Sequence, residues 1–97
     1  MRYTVVQYAP VDLEIRTSAL KHGITSESIA HAVTYAMYAD DDFRDADPPK
    51  VLILGPDTVG NVLEVLGELD EDVLAIFHAM VARPALLRLL TQRKEIR

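Results

Sequence analysis

The chain has 97 residues, 49% of them apolar, no cysteine and a formal net charge of −5 at neutral pH. Its length predicts one domain over residues 1–97, and the lack of cysteine excludes disulfides and thiolate zinc sites. No run approaches the roughly 18 apolar residues of a membrane span, and the N-terminus lacks the pattern of a signal peptide. We therefore expect a cytoplasmic protein that does not associate with membranes.

The charge is distributed unevenly along the chain. The segment from Arg83 to Arg97 has five basic residues and one acid, a balance of +4. Because the whole chain carries −5, residues 1–82 carry −9. An acidic body repels nucleic acid at long range, whereas the basic segment offers a local footprint for RNA. The same segment could instead pack against the acids of its own chain or of a second copy, and the second case would favour a homodimer.

The first half of the chain predicts one strand and two helices. Tyr3–Tyr8 is rich in β-forming residues. Pro10-Val11-Asp12 predicts the start of a helix that runs to about His22 and stops at Gly23. A second helix is predicted to begin at Thr25, with a buried stripe at helical spacing. The stripe comprises Ile29, Ala32, Val33, Ala36 and Met37. The acidic stretch from Asp40 to Pro49 predicts a solvated loop.

The second half predicts a meander and a final helix. Val51–Leu54, Val62–Leu66 and Val73–His78 are apolar runs typical of strands, and the turn-forming residues 55–61 join the first two. Pro84 fits the first turn of a helix, whose leucines would cover the sheet. The predicted fold class is therefore α+β: a small antiparallel sheet of three or four strands with two N-terminal helices and one C-terminal helix.

Short motifs along the chain resemble a known family. They are Lys21-His22-Gly23 before a helix, Val51–Gly55, Gly60–Val65 and Ala75–Ala79. Taken in order over residues 12–92, they resemble the BrnT-type toxins, ribonuclease-like proteins of bacterial toxin–antitoxin modules that are related in fold to RelE-like toxins. Small actinobacterial proteins labelled as toxins are more similar still. The resemblance implies a RelE/BrnT-like fold, an RNA substrate and an antitoxin partner.

The sequence departs from that family at the end of its last strand. Met80 occupies the position of the family's arginine, and Arg83 lies three residues further on. The acidic balance also differs from the basic character of ribonuclease toxins. The resemblance therefore leaves the activity open.

Five residues could perform metal-independent RNA cleavage. Histidine titrates in the useful pH range, and arginine binds phosphate oxygens through a planar fork. The predicted catalytic residues are His22, His78 and Arg83, and the predicted substrate-binding residues are Lys21 and Arg88. We expect no cofactor. We also expect no metal, since the only histidine spaced for a metal pair, His31 four residues after Glu27, has no evident third ligand.

Four of the five candidates also have a structural interpretation. His22 could interact with the dipole of the preceding helix, Lys21 could be a surface charge, and His78 could be a half-buried strand residue. Arg83 could bind phosphate or pair with an acid such as Glu64. Two functions follow: an RNA-cleaving toxin, or a non-catalytic protein-interaction domain. A gene for a small DNA-binding antitoxin next to this one would favour the first.

Overall fold

A computed structural model describes residues 2–5, 11–43 and 47–92. Residues 6–8 of the first predicted strand, Asp45, and the C-terminal cations Arg93, Lys94 and Arg97 lie outside the described residues. The strands are β1 (Arg2–Val5), β2 (Val11–Ile15), β3 (Tyr38–Phe43), β4 (Lys50–Pro56), β5 (Val62–Asp70) and β6 (Val73–Val81). The α-helices are α1 (Ser26–Thr34) and α2 (Pro84–Gln92), and a short 3-10 helix spans Thr17–Leu20.

The described strands form one six-stranded mixed sheet in the order β1-β2-β6-β5-β4-β3. Its neighbouring strands are antiparallel except for β2 and β6, which run parallel. The predicted antiparallel sheet of three or four strands is therefore wrong. A parallel pair requires a long connection between its strands, and here the connection from β2 to β6 contains α1 and three other strands.

The first predicted N-terminal helix is also wrong. Val11, Leu13 and Ile15 alternate with Asp12 and Glu14, a period of two residues that suits a strand. Leu13 and Ile15 are buried in the main core, so this alternation outweighs the helix-start signal at Pro10-Val11-Asp12. Only the 3-10 helix at Thr17–Leu20 remains of the expected helix, and the described part of the chain has two α-helices instead of three.

The predicted second helix is confirmed at its start. The side chain of Thr25 accepts a hydrogen bond from Ser28 N at 3.1 Å, so Thr25 caps α1. Ile29, Ala32 and Val33 are buried on one face, and they lie against the sheet. The helix ends at Thr34, before the predicted stripe does, because the backbone N–H of Met37 already donates to Leu54 O on the sheet.

We expect Thr25→Ala to lower the free energy of unfolding by about 1 kcal/mol, because it removes the side-chain oxygen that satisfies a free N–H in the first turn of α1. Chemical denaturation would measure the change. Thr25→Ser keeps the oxygen and should stay close to the wild-type value. A loss of equal size in both variants would show that packing, not the cap, accounts for the effect.

The acidic stretch predicted as a loop contains β3. Tyr38, Ala39 and Asp40 pair with Leu54, Ile53 and Leu52 on β4. The strand lies at the edge of the sheet, and edge strands tolerate charges that an internal strand does not. The Asp40-Asp41-Asp42 run therefore marks an edge of the described sheet.

Two apolar layers flank the sheet. The main core includes Leu13, Ile29, Val65 and Ile76 and lies beneath α1. A smaller core on the opposite face contains Leu52, Leu54 and Ala82, with three leucines of α2 packed against it. These leucines are Leu86, Leu89 and Leu90. The face that carries α2 also carries the candidate site.

Candidate functional site

A buried carboxylate lies at the centre of the candidate site. Glu64 belongs to β5, and its side chain is 0% exposed. Arg83 donates three hydrogen bonds to it: from the backbone N to Oε1 at 3.0 Å, from Nε to Oε1 at 3.0 Å and from Nη2 to Oε2 at 2.6 Å. His78 Nε2 lies 3.0 Å from Oε2. The buried charge is thus paired and hydrogen-bonded, as a carboxylate away from water requires.

Arg83 reaches Glu64 because β6 ends and α2 begins at this point. The backbone N–H of Ala82 still donates to Val62 O of the neighbouring strand. Arg83 then precedes the first helical residue, Pro84, and its carbonyl accepts bonds from Leu86 N and Leu87 N. The Glu64 carboxylate therefore lies at the N-terminus of α2, where the helix dipole favours a negative charge.

A β-bulge places His78 on the same face as Glu64. Leu66 pairs with His78 and Gly67 pairs with Ile76, so Phe77 is an extra residue on β6. Ile76 is buried in the core beneath α1, and regular alternation would put His78 on that face too. The extra residue reverses the alternation and brings His78 to Glu64. The hydroxyl of Ser18, in the 3-10 helix, donates to Phe77 O at 2.9 Å and holds the bulge.

His22 completes the group through a contact with His78. His22 follows the 3-10 helix that packs beside β6. The rings of His22 and His78 have their centroids 5.5 Å apart and meet edge to face at 74°. We refer to His22, Glu64, His78 and Arg83 as the Glu64 cluster.

The ionisation of Glu64 reflects two opposing effects. Burial raises the pKa of its carboxyl, but the hydrogen bonds from Arg83 and His78 and the charge of Arg83 outweigh burial and lower the pKa to about 2. In turn, the hydrogen bonds and charge of Glu64 raise the pKa of Arg83. At neutral pH the centre of the cluster is therefore an ionised pair of carboxylate and guanidinium.

The ionised carboxylate fixes the hydrogen-bonding state of His78. A carboxylate can only accept hydrogen bonds, so Nε2 of His78 carries the hydrogen that points at Glu64. In the neutral ring, Nδ1 is then the nitrogen that can take a proton. Arg83 is 60% exposed, and its Nη1 takes no part in the bonds to Glu64, so the cluster also presents a positive group to solvent.

No protein-family model, curated protein or solved structure matches this chain. Evidence on function therefore comes from the chemistry of the Glu64 cluster. Across the described residues, no helix has both the length and the apolar character needed to cross a membrane.

The structure brings together the three residues predicted to be catalytic. His22 contacts His78, and both His78 and Arg83 contact Glu64. Lys21 is exposed and adjoins His22 in the chain. Arg88 is exposed on α2, and no described contact joins it to the cluster. The substrate-binding roles of Lys21 and Arg88 therefore stay predictions, because the geometry does not connect either side chain directly to the cluster.

Of the two interpretations of Arg83, the structure contains the ion pair with Glu64. Met80 lies directly opposite Glu64 on β6. Arg83 supplies a guanidinium to this place from beyond the end of the strand.

The sequence did not reveal that Glu64 joins His78 to Arg83. One signal was present: Glu64 is the only charged residue in the run Val62–Leu66, and a lone charge inside an apolar strand is either paired or functional. The bulge that turns His78 toward it has no comparable signal in the sequence.

His31 lies apart from the cluster. Its Nδ1 is 2.8 Å from Pro56 O, and its ring packs against Tyr35. It therefore links α1 to the end of β4, in place of the pair with Glu27 considered from the sequence. Among the described residues, no three side chains of His, Cys, Asp or Glu converge in a way that would hold a metal ion.

Proposed function

We propose that the Glu64 cluster binds a phosphate of RNA and cleaves the adjacent phosphodiester without a metal ion. The observation that supports this most strongly is the contact between two imidazoles, one of them held by a buried carboxylate, beside a solvent-facing guanidinium. Cleavage of this kind needs a base, an acid and a cation at the phosphate. The cluster contains one group for each role.

In this proposal, Nδ1 of His78 takes the proton of the ribose 2′-hydroxyl. The 2′-oxygen then bonds to phosphorus as the bond from phosphorus to the 5′-oxygen breaks, and the product is a 2′,3′-cyclic phosphate. Protonated His22 gives a proton to the departing 5′-oxygen. Arg83 stabilises the charge that builds on the phosphate oxygens, and Glu64 holds His78 and Arg83 in place.

The proposed biological role is that of the toxin in a bacterial toxin–antitoxin module. This role rests on the short motifs that resemble BrnT-type toxins, because the sheet differs from the expected one and fold alone does not establish function. An antitoxin protein is then the expected partner. Growth arrest on induced expression, relieved by co-expression of the neighbouring gene, would support the role.

The test of the chemistry uses purified protein, single-stranded RNA and a chelator. We expect cleavage products that end in a cyclic phosphate, and a loss of rate of about 10²–10⁴-fold in His22→Ala and in His78→Ala. His31→Gln is the matched control, because His31 lies outside the cluster, and it should retain the wild-type rate. Cleavage that persists in both cluster variants, with melting curves that show folded protein, would exclude this mechanism.

A second function is favoured by one feature of the same cluster. Three hydrogen bonds from Arg83 converge on Glu64, which suits a structural ion pair that fixes α2 against the sheet. The chain would then be a non-catalytic protein-interaction domain. In that case Arg83→Gln would lower the melting temperature, and the wild-type protein would neither cleave nor bind RNA.

A further inference from the structure

A second group of cations lies on the sheet and is held by a second carboxylate. Glu68 accepts a bond from Arg16 Nη1 at 2.9 Å and lies 3.4 Å from Lys50 Nζ. The side chains of Arg16 and Lys50 are 45% and 37% exposed. As at Glu64, one acid orients two basic groups, and part of each remains open to solvent. We refer to Arg16, Lys50 and Glu68 as the Glu68 cluster.

Both clusters lie on the same face of the sheet. Glu64, Leu66 and Glu68 alternate along β5 with residues of the opposite face, and their pairing with Leu54, Leu52 and Lys50 on β4 is regular throughout. Four residues of strand separate the two acids by about 13 Å. Leu66 lies between them, next to His78 on β6. A ligand that extends along β5 from the Glu64 cluster would therefore reach the Glu68 cluster.

We infer that Arg16 and Lys50 form a second phosphate-binding position, so that the substrate is a single strand of several nucleotides lying along β5. The inference rests on the function proposed for the Glu64 cluster. A single strand presents a phosphate at every nucleotide, and a few nucleotides span the distance between the clusters. Cations that follow the backbone are a common way of binding single strands without reading their sequence.

Three carboxylates at this end of the face, Asp12, Glu14 and Asp70, oppose the inference. The nearest of them in the strand register, Glu14, provides a test of it. Glu14 on β2 lies in the same row as Ala75 and Glu68, on the side of the strand opposite to the buried Leu13 and Ile15. It reduces the positive charge near Arg16. If phosphates lie here, Glu14→Gln should strengthen binding of a longer strand severalfold, since a like charge beside the phosphate would be removed.

The experiment measures affinity against length with 2′-O-methyl RNA, which lacks the attacking hydroxyl and cannot be cleaved. The dinucleotide reaches the Glu64 cluster alone, whereas the hexanucleotide reaches both clusters. We expect the wild-type protein to bind the hexanucleotide about tenfold more tightly than the dinucleotide. In the double variant Arg16→Gln, Lys50→Gln, this gain should disappear.

The control removes the same amount of charge near the C-terminal end of the sequence, in Arg93→Gln with Lys94→Gln, which should keep the gain. If both double variants lose the gain in affinity equally, the overall positive charge of the protein explains the affinity. The second phosphate-binding position is then overturned. If the 2′-O-methyl dinucleotide binds with no gain from length, while unmodified RNA is cleaved, the second position is overturned and the proposed function stays intact. If neither the dinucleotide nor the hexanucleotide binds, the second position and the proposed function are both overturned. If the Arg16, Lys50 variant does not fold, Lys50→Gln alone should still reduce the gain.

Discussion

Replacing Glu64 with glutamine should lower the free energy of unfolding by about 2–4 kcal/mol at neutral pH. Glutamine keeps the shape of the side chain, but it removes the charge that pairs with Arg83 and His78. Losing one partner of a buried pair costs more than losing an exposed pair. Urea unfolding of wild type and Glu64→Gln would measure the difference.

The same carboxylate makes stability depend on pH. The pKa of Glu64 is about 2 in the folded protein against an ordinary value of 4.5, so the unfolded chain binds this proton more readily. The contribution, about 3 kcal/mol, is fully present above pH 4.5 and is lost as the pH falls toward 2. Glu64→Gln should lack this loss, so its stability should vary less with pH in that interval.

Glu68→Gln is the matched control on the same strand. Its partners Arg16 and Lys50 are solvent-accessible, and water can replace what they lose. We therefore expect a much smaller change in stability than in Glu64→Gln. Equal changes in the two variants would contradict the assignment of Glu64 as the buried centre of the cluster.

Gly55→Ala should destabilise the protein by about 3 kcal/mol or more, or prevent folding. A Cβ atom at Gly55 would lie 2.0 Å from Ala32 O and 2.8 Å from Ala32 C. Both are backbone atoms of α1 and cannot rotate away, so the helix would have to move off β4. Steric conflict in a packed core is among the few causes of such large effects. Thermal unfolding and the yield of soluble protein would measure it.

Gly60→Ala measures the cost of backbone conformation without the steric crowding found at Gly55. Gly60 has φ of +99°, in the β4–β5 turn, and no atom lies within 4 Å of the place its Cβ would take. The cost there is conformational, about 1 kcal/mol. Gly55→Ala should therefore be the more damaging of the two. The opposite ranking would mean that α1 does not approach β4 as closely as described.

The sequence predicted those elements in which local pattern and tertiary packing agree. Thr25 caps α1, the apolar run at Val51–Leu54 lies within an internal strand, and Pro84 begins α2. At β2 the two disagreed, because the residues around Pro10 resemble a helix start while Leu13 and Ile15 alternate as in a strand. The core required both residues on one face of the sheet, and packing overrode the local signal.

The parallel pairing could not be predicted from the chain. Residues 12–15 of β2 lie beside residues 73–76 of β6, about sixty positions apart, and no local pattern specifies such a partner.

The strand β3 was missed for a different reason. Its three aspartates resemble a loop, but an edge strand has one side free and can carry them.

Three members of the Glu64 cluster were named from the sequence, but their organisation around Glu64 was not. His22, His78 and Arg83 stood out because basic groups gather where strands and helices end. Their arrangement depends on two features that need three dimensions: the bulge at Phe77, which turns His78 to the face of Glu64, and the end of β6, which lets Arg83 reach the same carboxylate. Residue type was predictable, and side-chain direction was not.

The central claim is that the Glu64 cluster binds phosphate, and the three histidines of the chain allow a direct test. An NMR titration with the 2′-O-methyl RNA dinucleotide would follow the imidazole signals. We predict that the signals of His22 and His78 shift together and saturate, while that of His31, bonded to Pro56 O, does not move. Arg83→Gln should weaken the response. Equal shifts at all three histidines, or none at His22 and His78, would contradict the claim.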